Sequence, residues 1–307
     1  MDSRQLRYFA TIYEEGAVSR AAERQRVAVS ALSHHLANLE AELGQPLFER
    51  KPRGVQPTAA GERLYRHARS ILDAMDDAVA DLRRENTEIA GEVVIGMAHS
   101  AVRAVGVELF SRVLSDLPKV RLSLSESLSG ATLMHLMASE VDLALVYNPP
   151  TDPSLKTEAI LEERMVCIGK PEIIGPADAP LRVEELFGLP LILLRQGLSA
   201  RALVDDTALL KKLERHARLQ MNSVQAIGGC LAAGLGCAIG TPLFMSELLN
   251  DGTLVARPII EPELTRRLYL CERTDRRPTF AHEAIRDLVL ELIRDTVRAN
   301  RWDAKLI

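Results

Sequence analysis

The chain has 307 residues, 38 Lys and Arg against 42 Asp and Glu, a net charge of −4, and 47% hydrophobic with 26% charged residues. This is ordinary globular usage, long enough for two or three cores, and it excludes a disordered or fibrous polymer. No apolar run reaches membrane-helix length and the opening Met1-Asp2-Ser3-Arg4 has no apolar signal core, so a cytoplasmic protein with no membrane partner is expected.

Residues 18–39 carry two short helical patterns separated by a few residues. The first runs from Ser19, placed to cap it, to about Gln25, with the small Ala21 and Ala22 suited to close helix packing. The second opens near Ser30 and places Leu32, Leu36, Leu39 and Leu43 on one face. Its other face presents Val29, Ser30, Ser33, His34 and Asn38, with no acidic residue among them. A helix buried on one side and lined with short uncharged groups on the other is what major-groove reading requires. The plainer alternative is two amphipathic helices of an ordinary bundle. The residues C-terminal to the second helix favour DNA: Gly44 and Pro46 stop the helix, and Arg50, Lys51 and Arg53 form a basic tip turned by Pro52 and Gly54. Such a tip suits a wing that holds backbone phosphates. Residues 1–53 are nearly neutral, with eight Lys and Arg against seven Asp and Glu. From Ser19 to Asn38, however, there are three arginines, Arg20 among them, and one glutamate, and local placement sets the field at the groove.

Thr58 can cap a helix running to about Glu88, with Leu64, Ala68, Ile71, Met75, Ala78 and Leu82 at spacings of four, three, four, three and four. This heptad seam predicts pairing with a second copy rather than burial on the chain's own domain. Gly91 marks the expected domain boundary.

From Glu92 the pattern alternates between strands and helices. Strand runs at 93–97, 120–125, 142–147, 165–169, 189–194, 237–240 and 267–272 are separated by helical patterns such as Ala200 to His216, Val224 to Ala233 and Thr279 to Arg298. Parallel sheets with helices on both faces are expected, in two α/β lobes, the chain crossing near Glu163 and returning near Arg266. Ligands in such folds sit at the carboxyl ends of strands, beside helix N-termini. That rule selects His99, Ser100, Ser129, Tyr147, Arg195, Ser199 and Ser223 as candidate ligand-binding residues. Capping is the plainer role for each serine, and Arg195 would favour a small anion. No GxSxG elbow, GxGxxG after a strand, P-loop or HExxH motif is present. The four cysteines, Cys167, Cys230, Cys237 and Cys271, lack CxxC spacing. No catalytic residue, metal site or cofactor is expected.

The motifs Leu6-Arg7-Tyr8-Phe9, Glu14-Glu15-Gly16, Arg20-Ala21-Ala22-Glu23, Ala31-Leu32-Ser33, Leu47-Phe48-Glu49-Arg50 and Pro57-Thr58-Ala59-Ala60-Gly61-Glu62 resemble the N-terminal domain of the LysR-type transcriptional regulators. The similarity is continuous over the first sixty residues. Within the family, Val146-Tyr147 and Arg195 to Arg201 are similar to the branch of the nitrogen assimilation control regulator. One departure is Val29, Ser30 and His34, where the family usually has Gln or Ser then Pro, and Arg or Lys. The resemblance implies an α/β protein with an N-terminal all-α winged helix-turn-helix at 1–58, a long linker and dimerisation helix at 59–90, and a two-lobed, periplasmic-binding-protein-like effector domain at 91–307. Lobe I would span about 91–163 and 266–300, lobe II about 164–265. It also implies a homodimer or homotetramer on double-stranded DNA, contact with RNA polymerase, and a small, anionic co-inducer in the cleft. The alternative is a DNA-binding regulator or architectural protein without an effector.

Overall fold

The computed structural model describes residues 1–52, 54–82, 89–177, 179–194 and 206–307. Two compact units emerge, 1–87 with Arg276–Thr279, and 88–275 with Phe280–Ile307.

The first unit opens with helices α1 (Ser3–Glu15), α2 (Val18–Gln25) and α3 (Val29–Leu43). Asp2 and Gln5 make a reciprocal capping box that starts α1, and Gly16 in the left-handed region ends it. Helix α2 begins one residue before Ser19 with Ala17 as its cap, so the Ser19 hydroxyl is not the capping group expected. Ile12, Ala21, Ala22 and Leu32 form the buried knot of the helix-turn-helix. The two alanines let α2 approach α1 closely, as their size predicts. Strands β1 (Phe48–Lys51) and β2 (Gly54–Pro57) pair antiparallel as the wing.

Helix α4 (Ala59–Leu82) follows, its first turn held by Thr58, whose hydroxyl accepts from the Gly61 N–H at 3.0 Å. Leu64 and Ala68 do not face outward as the heptad reading expects; they pack with Leu6, Phe9, Leu39 and Leu47 in the unit's own core, joined by Leu72. The seam is one stripe in sequence, but its N-terminal half is needed to bury α1. Farther along, Ile71, Met75 and Val79 are 39, 43 and 46% exposed. Ala78 is exposed as well, and the side chain of Leu82 lies outside the described set.

The second unit begins with strand β3 (Ala90–Ala98), which already contains Gly91. Helix α5 (His99–Ala101), a π turn and helix α6 (Val107–Asp116) run on to β4 (Lys119–Ser127), α7 (Ser129–Met137) and β5 (Leu143–Tyr147). Strand β6 (Leu155–Arg164) then carries the chain out of lobe I. Lobe II comprises β7 (Val166–Gly169), α8 (Pro171–Ile174), β8 (Leu181–Arg182), α9 (Val183–Leu186), β9 (Ile192–Leu194), α10 (Thr207–His216), β10 (Leu219–Met221), α11 (Val224–Ala232), β11 (Cys237–Gly240), α12 (Ser246–Asn250) and β12 (Val255–Ile260). Strand β13 (Thr265–Arg273) returns to lobe I, which α13 (Phe280–Arg298) and β14 (Lys305–Leu306) complete.

The sheets are mixed rather than parallel. In the six-stranded order β14-β6-β13-β5-β3-β4, β3 is parallel to β4 and β5, while β13 is antiparallel to β5 and β6. In lobe II, β7 is antiparallel to both β11 and β12. The antiparallel members follow from the crossings: a strand leaving lobe I and one returning to it lie side by side and must run in opposite directions. Strand β3 and helices α6 and α13 bury one core through Ile95, Leu109, Val113, Ile285 and Val289, and lobe II buries another around Cys167, Ile192, Leu231 and Ile239. No described helix is long and apolar enough to cross a membrane.

Candidate functional site

Two surfaces concentrate the candidate residues, one in each unit. In the first, Val29, Ser30, Ser33 and His34 are all exposed along the first turns of α3, while Leu32 and Leu39 on the opposite face are fully buried. The helix therefore presents the short, acid-free surface its sequence predicted. His34 Nε2 lies 3.1 Å from Asn38 Nδ2, one turn on, which orients the ring along the helix. Leu36 is partly buried and Leu43 exposed, so the apolar face tapers toward Gly44.

The wing is pinned to the same helices. Val55 N–H donates to the Gly16 carbonyl at 2.8 Å, and a β-carbon on Gly54 would sit 2.2 Å from that oxygen. Only glycine fits there. Arg50 is exposed and makes no ion pair with the described residues, whereas Lys51 pairs with Glu49 at 2.8 Å. Arg20 is committed elsewhere: its Nε donates to the Glu15 carbonyl at 3.1 Å, closing the turn between α1 and α2. Arg53 lies outside the described residues.

The second surface is a cleft in the other unit, with about 430 Å³ of non-protein space inside it, some open to solvent. Strand ends and helix starts line it: His99 and Ser100 after β3, Leu128 and Ser129 after β4, Tyr147 ending β5, with Leu194, Val224, Gly240 and Phe244 from lobe II and Arg266 from β13. Four sequence candidates, His99, Ser100, Ser129 and Tyr147, thus come together. Ser223 does not: its hydroxyl accepts from Ala226 N–H at 3.2 Å and caps α11, the plainer role. Arg195 and Ser199 lie outside the described residues. Ser100 and Ser129 are not caps. The Ser129 hydroxyl accepts from Tyr147 N–H at 3.1 Å, and that of Ser100 accepts from Arg266 Nη2 at 3.0 Å.

In the sequence Glu163 and Arg266 mark only the crossing points, and their chemistry is legible in three dimensions alone. Arg266 Nε donates to Glu163 Oε1 at 2.6 Å, Nη2 reaches Thr241 Oγ1 at 3.3 Å, and the Trp302 indole N–H donates to Glu163 Oε2 at 2.6 Å. Both charged groups are buried. An unpaired buried charge would cost several kcal/mol, so each requires the other. The guanidinium carbon stacks 3.6 Å from the Tyr147 ring centroid. Burial and then the neighbouring Glu163 charge push the Tyr147 phenol well above its ordinary range, which keeps it protonated. Its hydroxyl lies close to Glu163 and Ser100 but makes no well-formed hydrogen bond to either. His99 is tied at the rim to Glu126. No cluster of three metal-type ligands occurs among the described residues.

Comparison with known proteins assigns a family to each part of the chain. Residues 3–62 match the lysR family of bacterial regulatory helix-turn-helix proteins, and residues 86–294 match the LysR substrate binding domain. The nitrogen assimilation regulatory protein nac of Klebsiella aerogenes is 31% identical over 240 residues, 78% of each chain. The transcriptional regulator BbuR of Bordetella bronchiseptica is 25% identical over 98% of this chain and 93% of its own. Among solved structures, a full-length OxyR variant from Pseudomonas aeruginosa superposes with a TM-score of 0.74 at 21% identity, covering 96% of this chain and 95% of that one. The chain belongs to the LysR family of transcriptional regulators, joining a DNA-binding helix-turn-helix domain to an effector-binding domain, and this is not a family of enzymes.

Proposed function

We propose that α3 reads the major groove of an operator through Val29, Ser30, Ser33 and His34, with Arg50, Lys51 and Arg53 of the wing on backbone phosphates. The exposed, acid-free face of α3 set beside the pinned wing carries this reading. Val29 suits contact with a thymine methyl, and Ser33 and His34 suit base edges or phosphate. Arg20, spent on the Glu15 carbonyl, supports the turn and reaches DNA only secondarily.

Pairing through the exposed stripe Ile71, Met75, Ala78 and Val79 of α4 would place two reading helices about one DNA turn apart, ~34–36 Å. Leu82 continues that spacing in the sequence. On α6, Val107 and Leu114 are 87% and 77% exposed and lie two turns apart with Phe110 between them. Such a face supports a second pairing, of effector domains, and hence a tetramer. A small effector in the cleft would then bias the arrangement of the reading heads. Action on chromosomal DNA puts the protein in the cytoplasm, with RNA polymerase as the partner through which binding affects transcription.

A mobility-shift titration on DNA from upstream of the protein's own reading frame, at two salt concentrations, tests the reading. Saturable binding that outcompetes random DNA is expected. Arg50→Ala should weaken binding on all sequences and flatten the salt dependence, while His34→Ala should relax discrimination between operator and random DNA. Equal affinity of the wild type for both DNAs would send the search for an operator to sites elsewhere, and no binding to any DNA would sink the proposal.

A further inference from the structure

Resting on the reading that α3 enters the groove and α4 pairs with a second copy, we infer that Glu14 is a positioning residue. It fixes the direction in which α4 leaves the reading head, and so the half-site spacing that the paired protein accepts. Contacts converge on the C-terminal turn of α1, where Tyr13, Glu14, Glu15 and Gly16 between them hold α2, the wing and α4. Arg24 of α2 donates from Nη1 to Glu14 Oε2 at 2.8 Å and to Glu15 Oε1 at 3.1 Å. Arg20 closes the following turn on the Glu15 carbonyl, and Val55 of the wing hangs from the Gly16 carbonyl. On the other side, the Tyr65 hydroxyl of α4 donates to Glu14 Oε1 at 3.1 Å, and Arg69 Nη1 lies 3.5 Å from the same oxygen. The Tyr13 and Tyr65 rings stack, with centroids 3.9 Å apart and planes 8° from parallel. One carboxylate thus ties a helix of the reading head to the pairing helix.

Apolar burial is non-directional, so the core of Leu6, Phe9, Ala68 and Leu72 holds α4 against α1 more firmly than it fixes their angle. Hydrogen bonds and ion pairs are directional. The Glu14 and Arg69 side chains are each 26% exposed, so solvent screens this pair incompletely. Burial and then the Glu14 charge push the Tyr65 phenol well above its ordinary range, so it stays protonated and keeps donating to Glu14. The pairing stripe lies beyond this joint. From Tyr65 to Met75 the helix rises about 15 Å. A swing of about 10° at Tyr65 would displace Met75 by roughly 3 Å, close to the ~3.4 Å rise of one base pair. Two copies swinging independently would blur the accepted spacing by roughly one to two base pairs, and the bonds to Glu14 prevent that.

Operator spacing tests this. A duplex with two half-sites, recovered by selection from random DNA with the full-length wild type, is rebuilt with one base pair inserted between the half-sites, and separately with one half-site scrambled. The insertion moves one half-site by about 3.4 Å and turns it by about 34°. The wild type is expected to bind the inserted duplex about tenfold more weakly than the original, because the second head no longer meets its half-site. Glu14→Ala should lose about threefold or less on the same insertion, while binding the single half-site as tightly as wild type. Tyr65→Phe, which removes the hydroxyl and keeps the ring stack, should fall between the two and remain folded.

A Glu14→Ala protein that keeps the wild-type preference for the original spacing would overturn the role of Glu14. Equal losses on single and paired half-sites would do the same, making the network a prop for the head's own fold. If Glu14→Ala does not fold, Tyr65→Phe decides, and a wild-type spacing preference in that variant overturns the inference. Failure of the underlying reading looks different. A selection that recovers no half-site removes the reading helix, and a wild type that sediments as a monomer, or binds two half-sites no more tightly than one, removes the pairing of α4.

Discussion

Glu163 and Arg266 face each other across the two strands that carry the chain between its lobes, directly opposite in the β6–β13 register and joined by a buried ion pair. They lie 103 residues apart in sequence. Arg266 also touches Ser100 of lobe I and Thr241 of lobe II, so one side chain ties both lobes at the crossing. A charge pair there fixes how the crossing strands meet, since neither group can move without leaving the other unpaired in a low-dielectric setting.

Removing one partner should therefore cost far more than neutralising both. Arg266→Met leaves a bare carboxylate and is expected to lose about 3–5 kcal/mol in urea unfolding. Adding Glu163→Gln to it removes that charge and keeps a carbonyl for the Trp302 N–H, so the double variant should be more stable than Arg266→Met alone. A double variant less stable than the single would show that burial of the pair is not what Arg266 supplies.

The wing depends on a missing side chain. Gly54 has φ +135° and its absent β-carbon would strike the Gly16 carbonyl, while Gly44 has φ +67° with open space around it. Gly44→Ala should cost only the left-handed backbone penalty, about 1–2 kcal/mol. Gly54→Ala adds a steric clash with backbone, and should both destabilise the first unit more and reduce operator affinity by unseating the wing. Thermal unfolding with mobility shifts on the two variants measures the difference; equal effects would mean that the wing contact carries nothing.

How far the sequence reveals these features depends on the range of the interactions. The helix-turn-helix is legible because short-range signals, Ala21-Ala22, the leucine spacing of α3 and the Gly44 stop, all agree locally. The candidate cleft residues at the ends of β3, β4 and β5 come from the strand-end rule. Strand β6 is not legible: Leu155–Arg164 carries five charged residues in ten, and its place between β14 and β13 depends on residues a hundred positions away. Arg266 and Glu163 escape for the same reason, since a charged residue on a strand reads as surface until its partner is known. The heptad in α4 marks the correct helix but cannot say which partner each apolar residue meets.

That division within α4 has its own consequence. Ala68 is fully buried in the first unit, and Ala68→Glu should unfold that unit, seen as lost helix signal. Met75 is 43% exposed, so Met75→Glu should leave the fold intact. It should instead dissociate the dimer in sedimentation velocity and weaken operator binding about tenfold or more by loss of the second reading head. A Met75→Glu protein that sediments as wild type would move the pairing surface off this helix.

Acid should act on the second unit through Glu272. Its carboxylate accepts from the His282 ring at 2.8 Å and lies 3.3 Å from Lys156 Nζ. The His282 hydrogen bond is the main reason its pKa falls to about 2, with burial opposing the shift and Lys156 assisting it. A carboxylate whose folded pKa is depressed contributes stability that is complete above its unfolded value near 4.5 and disappears as the pH falls through the folded one. The wild type should thus lose stability between roughly pH 5 and pH 2, where Glu272→Gln, unable to titrate, should lose less. At pH 7 the variant should be the less stable of the two, and the curves should converge near pH 2. Urea unfolding followed across that range checks the sign: a variant whose stability falls as steeply with acid as the wild type would assign the acid sensitivity to other carboxylates.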